Sequence, residues 1–381
     1  MFKHEDYIKT KGNFTAEEII QQPEMWLETV QIIENKLPEI KAFMDKCLDR
    51  PILRVCITGA GSSGYCAETL AAAAVMYLGY KVYAPHTTDI VGSPDSVLYQ
   101  DVPTLLISLA RSGNSPESVG AVKYAREKIK DLFEICVTCA ENGALCKISE
   151  ESEKILKIVL PAKTCDRGFA MTSSFTSMAV AAYGILSYKN FPEFKNNIAN
   201  LASVISGSLD NLSAAAQKAV ADKNFDRVAF LGAGALKGIA REGFVKMCEL
   251  SAGRVNVVWD TPMGFRHGPK SMITDNTYIM HFISGDTLTR KYDIDLLNEL
   301  AAQKQGYKII AISGAPENIS GGADYKIIFN NNFANDFYFA VAGVVFAQLF
   351  AFFKSQALGV TSDDPCPGGE VNRVVKGVTV Y

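Results

Sequence analysis

The chain contains the same sequence pattern twice, and this repeat constrains the fold more than any other feature. Residues 55–61 have the sequence VCITGAG, and residues 228–234, 173 positions later, have VAFLGAG. Further along, KIVL at 157–160 corresponds to KIIF at 326–329, 169 positions later. Because the offset stays nearly constant over this distance, we infer that one structural unit is duplicated in tandem.

Each repeat alternates short apolar runs with stretches of helical character. The runs lack apolar–polar alternation, which predicts strands buried on both faces of a parallel sheet. The alternation of strand and helix predicts that helices cover both faces of that sheet. The predicted strands are 53–58, 81–85, 103–108, 133–138 and 155–160 in the first repeat, and 227–231, 254–259, 277–283, 307–313 and 325–329 in the second. The fold class is therefore α/β, with two tandem αβα sandwiches of five parallel strands each.

The repeat also suggests how the chain divides into domains. The predicted parts are an N-terminal helical segment at 1–48, two sandwiches at 49–205 and 215–365, and a C-terminal tail at 366–381. Hydrophobic residues make up 48% of the 381 residues, which is enough for two cores. One stretch, 337–353, is apolar except for Gln348 and reaches the short limit of a membrane span. Since no second stretch of this kind exists, we interpret it as a buried helix and expect no membrane partner.

The charges and the cysteines of the sequence indicate which partners and which cellular compartment to expect. The formal net charge is −3 with both signs interspersed, so no nucleic-acid partner is expected. Residues 1–11 mix acidic and basic side chains without an apolar segment, and the nine cysteines are scattered along the chain. Both features predict a reduced, cytoplasmic protein. A phosphate-binding site would have to be built locally.

A glycine- and serine-rich loop follows the first predicted strand. Residues 59–64 have the sequence GAGSSG, a literal match to the GxGxxG pattern of dinucleotide-binding folds. That interpretation needs an acidic residue at the end of the next strand, where the chain has Pro85 and His86 instead. The alternative is an anion site at a helix N-terminus, with Ser62 and Ser63 as hydroxyl donors. Helix capping alone would explain the two serines equally well.

A second serine-rich loop favours the anion site. It follows the third predicted strand, where Ser112 precedes Gly113, and Ser115 precedes Pro116 at a predicted helix start. The first and third strands can be neighbours in a doubly wound sheet, in which ligands bind at the carboxyl ends of the strands. Because neither loop has the lysine of a nucleoside triphosphate-binding loop, we expect a phosphate monoester there.

A charged stripe distinguishes the second repeat from the first. Glu242, Lys246 and Glu249 are spaced i, i+4 and i+7 on the helix predicted after the second GAG, so they share one face. The residues that correspond to Lys246 and Glu249 in the first repeat are Ala72 and Val75. A solvated salt-bridge stripe is one interpretation. The functional one is that Glu249 is a base that removes a proton next to a carbonyl group.

Histidines and cysteines give little support to a metal site. The four histidines include no H-x-x-x-H pair, and Cys136 and Cys139 fall at a predicted buried strand, so neither a metal nor another cofactor is expected. His267 lies in a turn with Gly264 and Gly268. A lone histidine is more often structural, but this loop position favours a functional role, and an imidazole can act as a general acid near neutral pH.

Together, these motifs resemble the sugar isomerase (SIS) domain in two tandem copies. GAGSS at 59–63 and the serine-rich loop at 108–117 carry the general resemblance. FRHGP at 265–269 and GGEVNRVVKGVT at 368–379 are more specific. With them, residues 50–381 resemble the tagatose-6-phosphate ketose/aldose isomerase family, also described as galactosamine-6-phosphate deaminases. The resemblance implies that both sandwiches are of the SIS type.

The resemblance also implies roles for individual residues. The implied catalytic residues are Glu249 as the base between C2 and C1, Lys246 beside it, His267 for ring opening and Lys376 on a tail that closes over the sugar. The implied phosphate-binding residues are Ser62, Ser63, Ser112 and Ser115. Ala110 departs from the pattern, which has a serine there, and the neighbouring Arg111 is a candidate to compensate.

The implied reaction converts D-galactosamine 6-phosphate to D-tagatose 6-phosphate and ammonia through an enolamine, without a cofactor. The residues by themselves indicate only isomerisation of a phosphosugar. Two alternatives stay open, namely isomerisation between galactose 6-phosphate and tagatose 6-phosphate, and a sensor that binds a sugar phosphate without turnover. The apolar stretches at 71–75 and 337–353, with the family resemblance, predict a homodimer or homotetramer.

Overall fold

The computed structural model describes residues 13–303, 305–369, 371–375 and 377–381. They form two units, each built around one of the repeats. The first unit comprises Glu24–Asp166, Ser173–Ala199 and the described part of Gly369–Tyr381. The second unit comprises 13–23, Arg167–Thr172 and the described part of Asn200–Gly368. The described tail residues from Gly369 onward therefore belong to the first unit.

Each unit contains a five-stranded parallel sheet. The strands of the first unit are β1 (Arg54–Thr58), β2 (Val82–Tyr83), β3 (Thr104–Ala110), β4 (Leu132–Thr138) and β5 (Ile155–Val159). Those of the second unit are β6 (Arg227–Leu231), β7 (Asn256–Asp260), β8 (Thr277–Phe282), β9 (Lys308–Ser313) and β10 (Tyr325–Ile328). The strand orders are β2-β1-β3-β4-β5 and β10-β9-β8-β6-β7, so every strand has the same neighbours as its counterpart in the other repeat. The predicted fold class and tandem duplication are confirmed.

Helices connect the strands and precede the first sheet. In chain order they are α1 (Asn13–Ile20), α2 (Gln22–Asn35), α3 (Leu37–Leu48), α4 (Ser62–Ala73), α5 (Thr87–Gly92), α6 (Pro116–Lys128), α7 (Ala144–Ile148), α8 (Ser173–Leu186), α9 (Phe191–Asp222), α10 (Leu236–Leu250), α11 (Pro262–Phe265), α12 (Thr287–Ala302) and α13 (Asp336–Ala357). A π-helical turn at Ala74–Leu78 extends α4. The first three helices form the predicted N-terminal helical segment.

The central strands are buried on both faces, as their unbroken apolar character predicts. Every residue of β3 and of β4 is buried. The edge strand β2 is shorter than predicted, since only Val82 and Tyr83 pair with β1, whereas the sequence indicates a strand as far as position 85. Pro85 has no backbone N–H to donate to a ladder, which favours an early end of this strand.

Helix α13 accounts for the apolar segment at 337–353. By length and composition it could span a membrane, yet its most apolar part is completely buried inside the folded chain. It packs against α10 and α1. The interpretation as a buried helix is therefore confirmed. Because its own chain covers it, α13 offers no exposed apolar surface to a subunit partner, and the argument for an oligomer that rested on it was wrong.

Candidate active site

The loop after β1 starts α4, as the sequence predicts. Gly61 has a φ of +55°, in the left-handed region that favours glycine, and α4 begins at the next residue, Ser62. Gly59 packs so tightly against Ser63 that a Cβ at position 59 would collide with the serine side chain. Ser62 and Ser63 are both buried. Two hydroxyl groups are thereby fixed in the first turn of a helix, where the macrodipole favours an anion.

The loop after β3 holds the other two predicted phosphate ligands. Ser115 caps α6, because its Oγ accepts the backbone N–H of Ser118 at 3.2 Å and lies 2.7 Å from the Ser118 Oγ. The Ser112 Oγ accepts the backbone N–H of Asn114, also at 3.2 Å. Capping is therefore a role that Ser115 has in this structure. A hydroxyl that accepts one hydrogen bond can still donate another, so capping does not exhaust either side chain.

Both loops leave the same edge of the first sheet. β1 and β3 are hydrogen-bonded neighbours, with Thr58 opposite Ser108 in the register. Because the strands are parallel, their carboxyl ends lie side by side, and the expectation that the first and third strands are neighbours is confirmed. In open α/β sheets, ligands bind in the crevice where connections from adjacent strands go to opposite faces. The four serines are thus brought to the ligand-binding edge of one sheet.

Arg111 links the second loop to the C-terminal tail. Its guanidinium group is buried, and its Nη2 donates to the backbone oxygen of Arg373 at 2.7 Å. Arg373 in turn donates to the backbone oxygen of Asp166. The sequence indicated Arg111 only as a substitute for the hydroxyl group that Ala110 lacks. The structure shows a bond from Arg111 to the tail, a contact that no motif in the sequence indicates.

The end of the tail lies against α6. A Cβ at Gly120 would come within 3.0 Å of the Val380 Cγ1, so the missing side chain leaves room for the tail. The Tyr124 hydroxyl donates to the backbone oxygen of Tyr381. The tail is therefore attached to the first unit near its start, through Arg111, and at its end. Lys376, the predicted tail lysine, lies outside the described residues.

The charged stripe lies on α10, and its lysine is completely buried. The Lys246 Nζ lies 2.5 Å from the Glu249 Oε2 and 3.3 Å from the Glu242 Oε1. The side chains of Lys246 and Glu242 have 0% exposure, whereas that of Glu249 is 26% exposed. The interpretation as a solvated surface stripe is therefore wrong, because two of the three charges lie in the interior.

The two carboxylates decide the protonation state of Lys246. Burial alone would lower the pKa of Lys246, but the attraction of Glu242 and Glu249 outweighs it and raises this pKa above its ordinary value. Lys246 is therefore an ammonium ion with a carboxylate on either side. Since Glu249 is the member of the trio that remains partly exposed, it is the carboxylate that a small molecule can reach.

His267 lies in an exposed turn that α12 holds in place. The turn follows α11 and leads into a 3₁₀ turn at Pro269–Met272. The Arg266 Nε donates to the Glu299 Oε2 at 2.8 Å, and the Lys270 Nζ donates to the other oxygen of the same carboxylate. These hydrogen bonds, first from Lys270 and then from Arg266, hold the pKa of Glu299 below its ordinary value. The predicted loop position of His267 is confirmed.

The predicted site residues thus fall into two groups. One group contains the four serines that are the predicted phosphate ligands, all in the first unit: Ser62, Ser63, Ser112 and Ser115. The acid–base group consists of Lys246 and Glu249 on α10 and His267 in its own turn, all in the second unit. Within the second unit the structure brings Lys246 and Glu249 into direct contact, and it places His267 on a separate element.

Comparison with known families identifies both units. Residues 51–186 and 221–352 match the model of the SIS domain. The first stretch contains β1–β5, and the second contains β6–β10. The chain belongs to the SIS-domain family. This confirms the resemblance drawn from the loop and tail motifs.

Full-length relatives of this SIS-domain protein include the AgaS proteins. The chain is 38% identical to AgaS of Streptomyces coelicolor over 96% of its own length and 95% of the relative's. It is 36% identical to the D-galactosamine-6-phosphate deaminase AgaS of Escherichia coli over 97% and 96% of the two chains. The crystal structure of tagatose-6-phosphate ketose/aldose isomerase from Escherichia coli matches with a TM-score of 0.89 at 34% identity, covering 97% of this chain and 96% of that one.

One histidine beside the first SIS loop had no role in the sequence analysis. The His86 Nε2 lies 3.0 Å from the Glu68 Oε1, and both side chains are largely buried. A Cβ at Gly64 would collide with the His86 imidazole ring. The third glycine of the GxGxxG match therefore makes room for a histidine in this SIS domain. Gly64 itself could have indicated this contact, since a glycine inside a helix marks a close approach.

The cysteines are free thiols, and six of the nine are buried. All nine lie in the described part of the chain. Burial raises the pKa of Cys56 on β1 and of Cys136 on β4 to about 12, so neither ionises readily. The described residues include no group of three or more His, Cys, Asp or Glu side chains placed to hold a metal ion.

Proposed function

We propose that this protein converts D-galactosamine 6-phosphate and water to D-tagatose 6-phosphate and ammonia. The observation that carries the proposal is the Lys246–Glu249 pair, a buried cation 2.5 Å from a partly exposed carboxylate. A carboxylate in this setting can remove a proton next to a carbonyl group, while the cation stabilises the negative charge that develops. The galacto configuration and the amine come from the likeness to the D-galactosamine-6-phosphate deaminase of Escherichia coli.

The phosphate group of the substrate is assigned to the first unit. Ser62, Ser63, Ser112 and Ser115 would donate to its oxygens. The supporting observation is that both serine loops begin helices at the carboxyl ends of adjacent strands. Helix N-termini and backbone N–H groups favour a doubly charged anion there, without a lysine or a metal ion. The phosphate then anchors the substrate, and the chemistry takes place at C1 and C2.

The proposed proton transfers run in order along the sugar. His267 protonates the ring oxygen while the O1 hydroxyl releases its proton to water, which breaks the bond between C1 and the ring oxygen and opens the pyranose to an aldehyde at C1. Glu249 removes the proton from C2, which gives an enolamine with negative charge on O1. O1 takes up the proton that the amine nitrogen loses, and Glu249 returns its proton to C1, which leaves a hydroxymethyl group at C1 and an imine at C2. The resulting imine at C2 takes up one water and releases ammonia, which leaves the ketone of tagatose 6-phosphate. Lys246 and Lys376 stabilise negative charge on the oxygens without transferring protons themselves.

A second candidate is the interconversion of D-galactose 6-phosphate and D-tagatose 6-phosphate. The 34% identical structure from Escherichia coli, described as a tagatose-6-phosphate ketose/aldose isomerase, favours it. The same base would serve, because an enediol forms in the same way as an enolamine. A sensor without turnover would gain nothing from a lysine buried between two carboxylates, so this alternative has the least support.

The two reactions are separated by measuring ammonia and ketose independently. Purified protein is incubated with galactosamine 6-phosphate, glucosamine 6-phosphate and galactose 6-phosphate, without added metal or nucleotide. We expect ammonia and ketose in equal amounts from galactosamine 6-phosphate. Ketose from galactose 6-phosphate without ammonia from the amino sugar would support the isomerase instead. Binding of a sugar phosphate without any product would support the sensor.

We also propose that the protein acts in the cytoplasm as a homodimer or homotetramer. The free thiols fit a reducing compartment. With α13 covered by its own chain, the remaining support from the structure is an apolar patch at the end of α4, where Val75 is 50% and Met76 43% exposed. Light scattering tests the assembly, and a species of only 41.4 kDa at every concentration would contradict it.

A further inference from the structure

The loop after β8 is the second unit's counterpart of the serine loop after β3. Both strands hold the middle position of their sheets. Ser284 and Gly285 correspond to Ser112 and Gly113, 172 positions earlier. Each loop leads into a helix: Ser115 caps α6 in the first unit, and Asp286 caps α12 in the second. If the first of these loops binds an anion, the second has inherited the same backbone and a serine in the same place.

In the second unit, carboxylates of the chain already occupy the donors of this loop. The Ser284 hydroxyl donates to one oxygen of Asp336, and the Gly285 backbone N–H donates to the other at 2.7 Å. The Ser284 backbone N–H donates to the Asp293 Oδ2 at 2.8 Å. Ser284, Asp293 and Asp336 are all buried. Three convergent donors thus face two internal carboxylates.

The first unit has no carboxylate at either of the corresponding positions. Asp336 is the first residue of the helix that follows the fifth strand, and the equivalent helix α8 begins with Ser173. Asp293 lies seven residues after the cap of α12, and the residue seven after the cap of α6 is Val122. A hydroxyl group and an apolar side chain therefore occupy the positions of these two carboxyl groups, and the buried carboxylate at the start of α8, that of Asp166, accepts hydrogen bonds from Ser173 and Ser174.

We propose that the second unit retains an anion-binding nest, formed by the Ser284 hydroxyl and the Gly285 backbone N–H. Asp336 fills this nest from within the chain, so that a phosphate group binds to the first unit only. The binding of phosphate to the first unit rests on the proposed function. The occupation of the nest in the second unit by Asp336 does not. Donors that hold a carboxylate with one O–H and one N–H also suit two oxygens of a phosphate. With Asp336 in place, a phosphate would meet both an occupied donor set and a like charge.

There is space for a phosphate group once the carboxylate is removed. Gly285 and Asp336 line a cavity of about 310 Å³, and Arg290 lines it as well. The Arg290 Nη1 donates to the Gly285 backbone oxygen at 3.0 Å, which places a guanidinium group beside the loop. Replacing Asp336 by serine, the residue of the first unit, would therefore leave an open nest with a cation next to it.

The experiment counts inorganic phosphate ions bound per chain, by equilibrium dialysis at constant ionic strength. We expect Asp336→Ser to bind one more phosphate than the wild type. Glu317→Gln removes a carboxylate from the same cavity without touching the nest, and we expect it to bind the same number as the wild type. A folded Asp336→Ser variant with no additional phosphate overturns the proposal. The measured quantity is the difference between the variant and the wild type in phosphate ions bound per chain. A failed deaminase assay, or a first unit that binds no phosphate, therefore does not change the test.

A second measurement decides the matter even if Asp336→Ser does not fold. Crystals of the wild-type protein are grown or soaked in phosphate. We expect the Asp336 carboxylate to remain on Ser284 and Gly285, with no phosphate on these two residues. Phosphate bound to Ser284 and Gly285 of the wild-type protein would overturn the proposal.

Discussion

The three charges on α10 have a cost for folding that the first repeat avoids. Lys246 is completely buried, and the carboxyl groups of Glu242 and Glu249 beside it offset the cost of burying its ammonium group. In the first repeat, Ala72 and Val75 occupy the positions of Lys246 and Glu249 in a unit of the same fold. The fold therefore does not require these charges, and their presence at an internal position is better explained by chemistry.

This argument predicts the behaviour of Glu249→Gln. The variant keeps the size and a hydrogen-bond acceptor for Lys246 but cannot take up a proton from C2. We expect kcat to fall by about 10²–10⁴-fold, the usual contribution of a positioned base, with sugar-phosphate affinity nearly unchanged. Single-turnover kinetics with galactosamine 6-phosphate and a separate binding titration would measure the two quantities.

Glu242→Gln is the matched control, because it removes the other carboxylate beside Lys246. We expect this variant to lose thermal stability, since it removes one of the two carboxylates beside the buried ammonium group, but to lose much less kcat than Glu249→Gln. Equal losses of kcat in the two variants would mean that both carboxylates serve only to hold Lys246. More than half of the wild-type kcat in Glu249→Gln would rule out Glu249 as the base.

Among the elements, the C-terminal tail and α6 depend on each other. The tail is held through the Arg111 contact to Arg373 and through its end, which lies against Gly120. Position 376, where the tail lysine stands, lies between these two attachments in the sequence. Displacing the end of the tail should therefore disturb the lysine without any change at position 376 itself.

We expect Gly120→Leu to lower kcat at least about tenfold, because small displacements of positioning groups have effects of this size. Leucine is a better helix former than glycine, so α6 should lose no intrinsic stability, and the new side chain meets Val91 of α5 as well as Val380 of the tail. Deleting residues 378–381 removes the same attachment without altering α6 and should lower kcat to a similar degree. Wild-type kcat in both variants would show that the docked end of the tail has no part in the reaction.

The elements themselves were predictable, and most contacts between distant elements were not. The strands buried on both faces appeared in the sequence as unbroken apolar runs, and α10 as a stripe at helical spacing, because these patterns are local. The contact of Val380 with Gly120 joins residues 260 positions apart and follows no periodicity. The bond between Asp336 and Ser284 likewise depends on tertiary packing. For the candidate site, the sequence indicated which residues to consider, and their roles stay predictions, whereas the burial of Lys246 became visible only in the structure.

For the molecule as a whole, duplication has produced two sheets of the same strand order, and the two units carry different functional side chains. In the second unit Asp336 fills the loop after β8, whereas the buried carboxylate at the start of the equivalent helix of the first unit, that of Asp166, bonds to Ser173 and Ser174. The second unit has Lys246 and Glu249, whereas the first has small and apolar residues there. Under the proposed function, the two copies have specialised, one in binding the phosphate group and the other in moving the proton. The two tasks should then be separable in kinetic measurements.

The pair of equivalent serines tests this specialisation directly. Ser112→Ala should raise KM for galactosamine 6-phosphate about tenfold to a hundredfold with little change in kcat, because a hydrogen bond to a charged group contributes about 1.5–3 kcal/mol. Ser284→Ala removes the equivalent hydroxyl in the second unit, where it bonds to Asp336 instead of the substrate. We expect this variant to keep the wild-type KM but to unfold at a lower temperature, since a buried carboxylate loses a donor. Steady-state kinetics and thermal denaturation of both variants measure the difference. If Ser284→Ala raised KM as much as Ser112→Ala, the two loops would be equivalent in binding, and specialisation of the copies would have to be abandoned.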